Sequence, residues 1–309
     1  MTLIALASIK GSPGVTTAAL AMAASWPAGR RVLLVEADPF GGDLAPRYGT
    51  AATGGLASLF AAARRSLRPE DVWDHVDHLP GGLPVLFGLT GMHQAVANEK
   101  AWPVVVDALG DQDGDVVVDV GRLLPNLGGG VREVLARADA LVVLCESTLE
   151  AIVHLREALP ALVAELRSRR LVVVPTGSVR FSPADIERTL QVEVFPSVPD
   201  DPEAAAALAN RRAVKKLEKT RLLKWANEAI AALGIESMSD AEPDALAGIE
   251  DPADANSVDD DSIQPPLDME EHSAIGLDDG RRPSDIADGL VGEAAMAGVV
   301  SGPTWEVGR

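Results

Sequence analysis

The segment Lys10-Gly11-Ser12-Pro13-Gly14-Val15-Thr16-Thr17 constrains this chain more than any other. An apolar run, residues 3–9, precedes it and reads as a buried strand, and an Ala-rich stretch, residues 18–25, follows it and reads as a helix. Strand, glycine loop and helix in that order are the layout a phosphate-binding loop needs. Backbone N–H groups around Gly11 and Gly14, with the helix N-terminus, then form an anion-sized nest. Loops of this kind carry a lysine just before the Ser/Thr, where it reaches the outer phosphates. Here that place holds Val15, uncharged and β-branched. The bland alternative for the same residues is a plain strand-to-helix turn.

Lys10, Gly11, Gly14, Thr16 and Thr17 match Lys-Gly-Gly-x-Gly-Lys-Thr-Thr, the deviant Walker A pattern of the ParA/MinD-type P-loop ATPases. That family includes pilus-assembly relatives of the CpaE type, and residues 1–233 resemble it. Ser12 replaces the second glycine of the pattern and Val15 its second lysine. The resemblance implies ATP and Mg²⁺ as cofactors. It also implies that Lys10 reaches across a homodimer interface, on the P-loop face, to the partner's nucleotide. With Val15 in the lysine place, the expectation is nucleotide binding with weak or absent ATPase activity.

Two further segments follow in the family's order. Residues 31–36 read as a second strand, ending in Glu36-Ala37-Asp38-Pro39-Phe40-Gly41-Gly42-Asp43. This resembles the family's Asp-x-Asp-Pro-x-Gly segment, with Glu36 replacing the first aspartate. The resemblance gives Asp38 the catalytic task of placing the attacking water, although the same residue types also make an ordinary surface turn. In Asp115-Val116-Val117-Val118-Asp119-Val120-Gly121 an aspartate ends an apolar strand, as in a Walker B segment. By resemblance Asp119 and the Thr16 hydroxyl hold Mg²⁺. The family usually continues with Thr-Pro-Pro, where this chain has Val120-Gly121-Arg122.

Valine-rich runs at residues 83–87, 140–145, 170–176 and 192–198 read as further short strands. Helical stretches separate them, at residues 101–109, 131–138, 149–168 and 183–190. Apolar strands alternating with helices predict an α/β fold: a mostly parallel sheet, buried on both faces, with helices on each side. Val173-Val174-Pro175-Thr176-Gly177 falls where relatives carry an asparagine that recognises the base, and that asparagine is missing. Pro199, Asp200 and Asp201, ahead of the Ala-rich residues 204–209, resemble the family's second base-contacting loop. Adenine contact is therefore expected through their backbone groups.

Charge divides the chain into residues 1–235, the P-loop domain, and 236–309, an acidic tail. Eighteen of the 46 acidic residues but only three of the 27 basic ones lie beyond residue 236, so about −15 of the net −19 sits there. Few large apolar residues accompany that charge, and the expectation is a disordered tail. Just before it, residues 211–233 read as one amphipathic helix with Arg211, Arg212, Lys215, Lys216, Lys219 and Lys224 on its cationic face. Core packing is the expected use, with DNA phosphates or an anionic membrane as the alternatives. The single Cys145 excludes an internal disulfide and suits a reducing compartment. His75 and His78 read as surface residues at a strand edge rather than as metal ligands. Together these features point to a cytoplasmic protein, peripheral at a membrane or nucleoid if the basic face is used. Its role would be positioning, chromosome partitioning or pilus assembly with an unidentified protein partner, or, alternatively, a non-catalytic scaffold that uses the fold only for protein contacts.

Overall fold

The computed structural model describes residues 1–10, 13–50, 54–123, 128–166, 169–178, 180–211 and 214–237. Gly11, Ser12, Arg212 and residues 238–309, hence nearly all of the predicted tail, lie outside the described residues. In chain order the elements are β1 (Leu3–Ser8), α1 (Val15–Ala24), β2 (Val32–Glu36), α2 (Leu44–Tyr48), α3 (Gly55–Ala63), β3 (Asp77–His78), β4 (Pro84–Leu86) and α4 (Met92–Ala97). Then come α5 (Trp102–Asp111), β5 (Asp115–Arg122), α6 (Gly129–Arg137), β6 (Ala140–Glu146), α7 (Leu149–Glu165), β7 (Arg170–Thr176), α8 (Pro183–Leu190), β8 (Glu193–Val194), α9 (Pro202–Leu208) and α10 (Arg221–Ala232).

The strands form one sheet in the order β3-β4-β2-β5-β1-β6-β7-β8. Every pair is parallel except β3–β4, a two-residue antiparallel edge. Period-two alternation sorts the strand side chains into two cores. Leu3, Ala5 and Ala7 of β1 join Val116 and Val118 under α3, α5, α6, α7 and α8. Ile4 and Leu6 join Val117 and Val142 under α1, α9 and α10. The α/β fold with helices on both faces is thus present, and it follows from strands that are apolar on both sides. Each fully buried Leu, Ile or Val contributes roughly 1.5–3 kcal/mol, so the central strands anchor the domain.

Two expectations are corrected. Residues 211–233 are not one helix: Asn210 and Lys216 have positive φ, a short 3₁₀ turn spans Leu217–Lys219, and the α-helix begins only at Arg221. Arg211, Lys215, Lys216 and Lys219 therefore lie on an exposed, irregular connection rather than on a helical face. The apolar face of α10 (Leu222, Leu223, Trp225, Ala226, Ala229 and Ile230) packs into the core, as expected. The expected strand at residues 192–198 shrinks to Glu193–Val194, because Pro196 and Pro199 cannot donate ladder hydrogen bonds. Among the described residues no helix is long and apolar enough to cross a membrane.

Candidate functional site

Sheet order reverses around β1, whose neighbours β5 and β6 are connected far along the chain. In open α/β sheets the crevice beyond the carboxyl ends of such strands is where ligands bind. Gly14 takes a left-handed conformation (φ 91°) and starts α1 without any side-chain cap. The first-turn N–H groups of α1, Val15, Thr16 and Thr17 among them, therefore lack intrahelical partners and face the crevice with the positive end of the helix dipole. Val15 is 7% exposed, and its side chain belongs to the apolar cluster of Ile4 and Leu6 rather than to the crevice.

Asp119 lies in the carboxyl half of β5, beside β1. It is 2% exposed, and its Oδ1 accepts the Gly121 N–H at 3.0 Å. Thr16 lies close enough to this carboxylate to favour its charged form, so the two residues expected to hold a metal are neighbours. Burial, reinforced by the charges of Glu36 and Asp38 and only partly offset by Thr16 and by the Gly121 N–H, pushes the Asp119 carboxyl up to about 7. Asp38 is raised too, by desolvation first and by Asp43 second, against the Phe40 N–H that it accepts at 2.8 Å. The charges of Glu36 and Asp38 thus both bear on the buried Asp119, an arrangement that a cation would stabilise. Among the described residues no three His, Cys, Asp or Glu side chains could hold a metal by themselves. Thr16 and Asp119 fit an Mg²⁺ that takes its remaining ligands from water and phosphate, as this ion usually does.

Between β1 and β5 the register slips by one residue at Leu6/Ala7, so Val120 is the extra residue of a bulge. Gly121 follows with φ 67°, and a Cβ there would stand 2.0 Å from Asp38 Oδ2. The glycine thus lets two strand ends approach and brings Asp38 beside Asp119. Glu36, which replaces the family's first aspartate, is not a site residue of that kind. It is buried and accepts the N–H groups of Asp43 (2.7 Å), Leu44 (2.9 Å) and Gly88 (3.1 Å). Desolvation raises its pKa, and those three hydrogen bonds oppose the rise.

From Gly14 and Thr17 a cavity of about 490 Å³ runs across the ends of β6 and β7 to Pro199, Asp200 and Asp201. Its walls join the P-loop to the expected base-contacting loop. Thr176 lines this cavity and is 5% exposed, and its buried hydroxyl has no hydrogen-bond partner among the described residues. The Asp201 carboxylate is engaged elsewhere, accepting Ala204 N and Leu222 N at 3.2 Å each, so it caps α9 and ties α10 to it. The Asp200 carbonyl accepts from Arg221. Lys10 is exposed and donates to His154 Nε2 of α7 at 3.1 Å. His154 carries no sequence signal, since it lies 144 residues away on a helix. Arg122, at the end of β5, is exposed and donates from Nε to the Ile9 carbonyl at 3.3 Å.

A helix that starts at Gly14 after a central parallel strand, an aspartate buried near the end of the neighbouring strand, and a cavity beside α1 define the class: an α/β fold of the P-loop NTPase type. No family model and no curated protein matches the sequence. Solved structures do. A ParA family ATPase from Chlorobium tepidum matches with a TM-score of 0.61 at 18% identity, over 74% of this chain and 98% of that one. McdA(D38A) of Cyanothece, in complex with ATP, gives 0.59 at 19% identity over 77% and 98%. The septum site-determining protein MinD of Pyrococcus horikoshii, complexed with Mg-ADP, gives 0.57 at 15% identity over 76% and 98%. The chain has the fold of the ParA/MinD ATPases.

Proposed function

We propose that this protein is a ParA/MinD-type nucleotide-binding factor for intracellular positioning, partitioning or assembly, which binds ATP with Mg²⁺ and hydrolyses it weakly or not at all. The observation that carries the reading is the Thr16–Asp119 pair beneath the uncapped start of α1. Two structural neighbours hold ATP or Mg-ADP on the same fold. Bound Mg²⁺ would supply positive charge against the phosphates. The chain supplies the rest. First-turn N–H groups of α1 orient the phosphates, Thr16 and Asp119 hold the ion, and Thr176 with the Pro199 loop faces the base. Asp38 would orient a water, and Lys10 would serve a second copy of the chain across a homodimer interface.

Val15 sets the rate. Losing an ammonium where transition-state charge develops costs several kcal/mol, so turnover should be at least about a hundredfold below that of a lysine-bearing relative. A nucleotide titration of the full chain with and without Mg²⁺ tests the reading. Mg²⁺ should tighten ATP binding, and Thr16→Ala or Asp119→Asn should remove that gain. Robust ATPase activity abolished by Asp38→Ala would overturn the claim of weak turnover. The burial of Val15 in the apolar core favours a second reading, a scaffold that contacts proteins without nucleotide. Absence of any ATP binding would select it.

A further inference from the structure

We propose that Arg122 takes over the phosphate-facing charge that residue 15 lacks; this rests on the nucleotide-binding reading above. The argument starts from β5, where residues 115–121 are buried and Arg122 is the first exposed side chain. The bulge at Val120 and the positive φ of Gly121 redirect the strand end, and Arg122 emerges three residues beyond Asp119. Its register partner is Ser8, the last residue of β1 before the glycine loop. Among the described residues one hydrogen bond at 3.3 Å, from Nε to the Ile9 carbonyl, tethers the guanidinium to the residue preceding Lys10. No ion pair of Arg122 with a carboxylate is found among the described residues. Its remaining donors are those of a planar fork suited to phosphate oxygens.

The other cations nearby are less well placed for this. Lys10 Nζ meets His154 on α7. Arg180 lines the far wall of the cavity beside Thr176. It follows β7, two strands from β1 and on the side away from Asp119. Arg122 follows β5, the strand hydrogen-bonded to β1 on the side of Asp119. A guanidinium there would meet bound phosphate on the Asp119 side of β1.

The test is the affinity of the full-length protein for ATP, ADP and AMP with Mg²⁺, compared across wild type, Arg122→Ala, Arg122→Lys and the double variant Arg122→Ala/Val15→Lys. Arg122→Ala should weaken ATP about tenfold or more, ADP less, and AMP hardly at all, because the lost contact is with the outer phosphates. Arg122→Lys should keep part of the ATP preference. Val15→Lys should restore ATP binding in the alanine background, a rescue that mere tethering of Ile9 cannot give. If wild type binds ATP and Arg122→Ala binds it equally well, Arg122 has no such role and the nucleotide reading stands. Equal weakening of all three nucleotides would mean a structural tether and overturn the assignment. If wild type binds no nucleotide at all, the functional reading itself falls.

Discussion

Strand β5 carries a carboxylate near each end, and the two have opposite fates. Asp115 is buried at the amino end among donors: Thr2 N at 2.7 Å, Trp26 Nε1 at 2.9 Å, and the Arg30 fork at 2.7 and 2.8 Å. Desolvation pushes its pKa up, but the Arg30, Trp26 and Thr2 hydrogen bonds and the Arg30 charge outweigh it, and the net shift is downward. Asp119 is as buried toward the carboxyl end, yet its donor among the described residues is the Gly121 N–H, with Thr16 beside it, and the charges of two more carboxylates bear on it. One end of the strand is neutralised by its donors, and the other keeps a buried carboxylate that the proposed function fills with a cation.

The largest expected effect tests the neutralised end. Asp115→Ala leaves the Arg30 guanidinium uncompensated and should destabilise the domain by about 3–5 kcal/mol in urea titrations. Asp119→Asn should cost less than about 1 kcal/mol at pH 8, or stabilise, since it removes a buried charge that nothing neutralises. Equal losses for the two variants would break the comparison.

A change of pH should move the two ends in opposite senses. Asp119 binds its proton more tightly in the folded state, with a pKa of about 7 against an ordinary 3.8. Stability should therefore fall as pH rises from about 4 to about 7 and level off above, by an amount on the order of 4 kcal/mol. Asp115 has a lowered folded pKa, so its contribution is complete above its unfolded value and is lost as pH falls through the folded one. Urea midpoints between pH 4.5 and 8 check this: the gap between Asp119→Asn and wild type should widen with pH. Parallel profiles would show that Asp119 does not titrate in this range.

Smaller effects sharpen the other end. Gly121→Ala combines a positive φ with a Cβ 2.0 Å from Asp38 Oδ2. It should cost about 1–3 kcal/mol and displace Asp38. A thermal melt together with Mg²⁺–ATP affinity reads both consequences. His154→Ala removes one exposed partner of Lys10 and should change stability by no more than about 0.5 kcal/mol. If Lys10 serves a second copy of the chain, that variant should dimerise at least as well as wild type in sedimentation with ATP and Mg²⁺. Weaker dimerisation would mean that His154 positions the lysine rather than holding it back.

Much of this was legible in the sequence. Lys10, Gly14, Thr16, Asp38 and Asp119 announce themselves because each stands at the end of an apolar strand or the start of a helix, where periodicity is strong. Pattern could not show which polar residues would be consumed by structure. Asp201 reads as a base-loop residue, yet its carboxylate caps α9 and holds α10. Glu36 reads as a substituted site residue, yet it serves backbone amides. Both roles depend on long-range packing that composition does not encode. The basic stretch misled because helical spacing of Val214, Leu217 and Leu222 spans a break: Lys216 is left-handed, and α10 starts five residues later. The short helices α2 and α4 were missed for want of length, five and six residues giving too little periodicity to read. Arg122 did leave a trace, as the departure from Thr-Pro-Pro after Asp119.

Glu36 has a mechanical consequence. One carboxylate grips the loop that follows Asp38, through Asp43 and Leu44, and with its other oxygen grips Gly88, which leads toward α4. Gly42 and Gly88 are pressed together beneath it, and a Cβ on Gly42 would lie 2.9 Å from Gly88 Cα. Neither loop has slack to shift alone. The rivet joins the segment after Asp38 to the one that leads to α4 and its half-exposed Met92, so loss of the Glu36 carboxylate would release both at once.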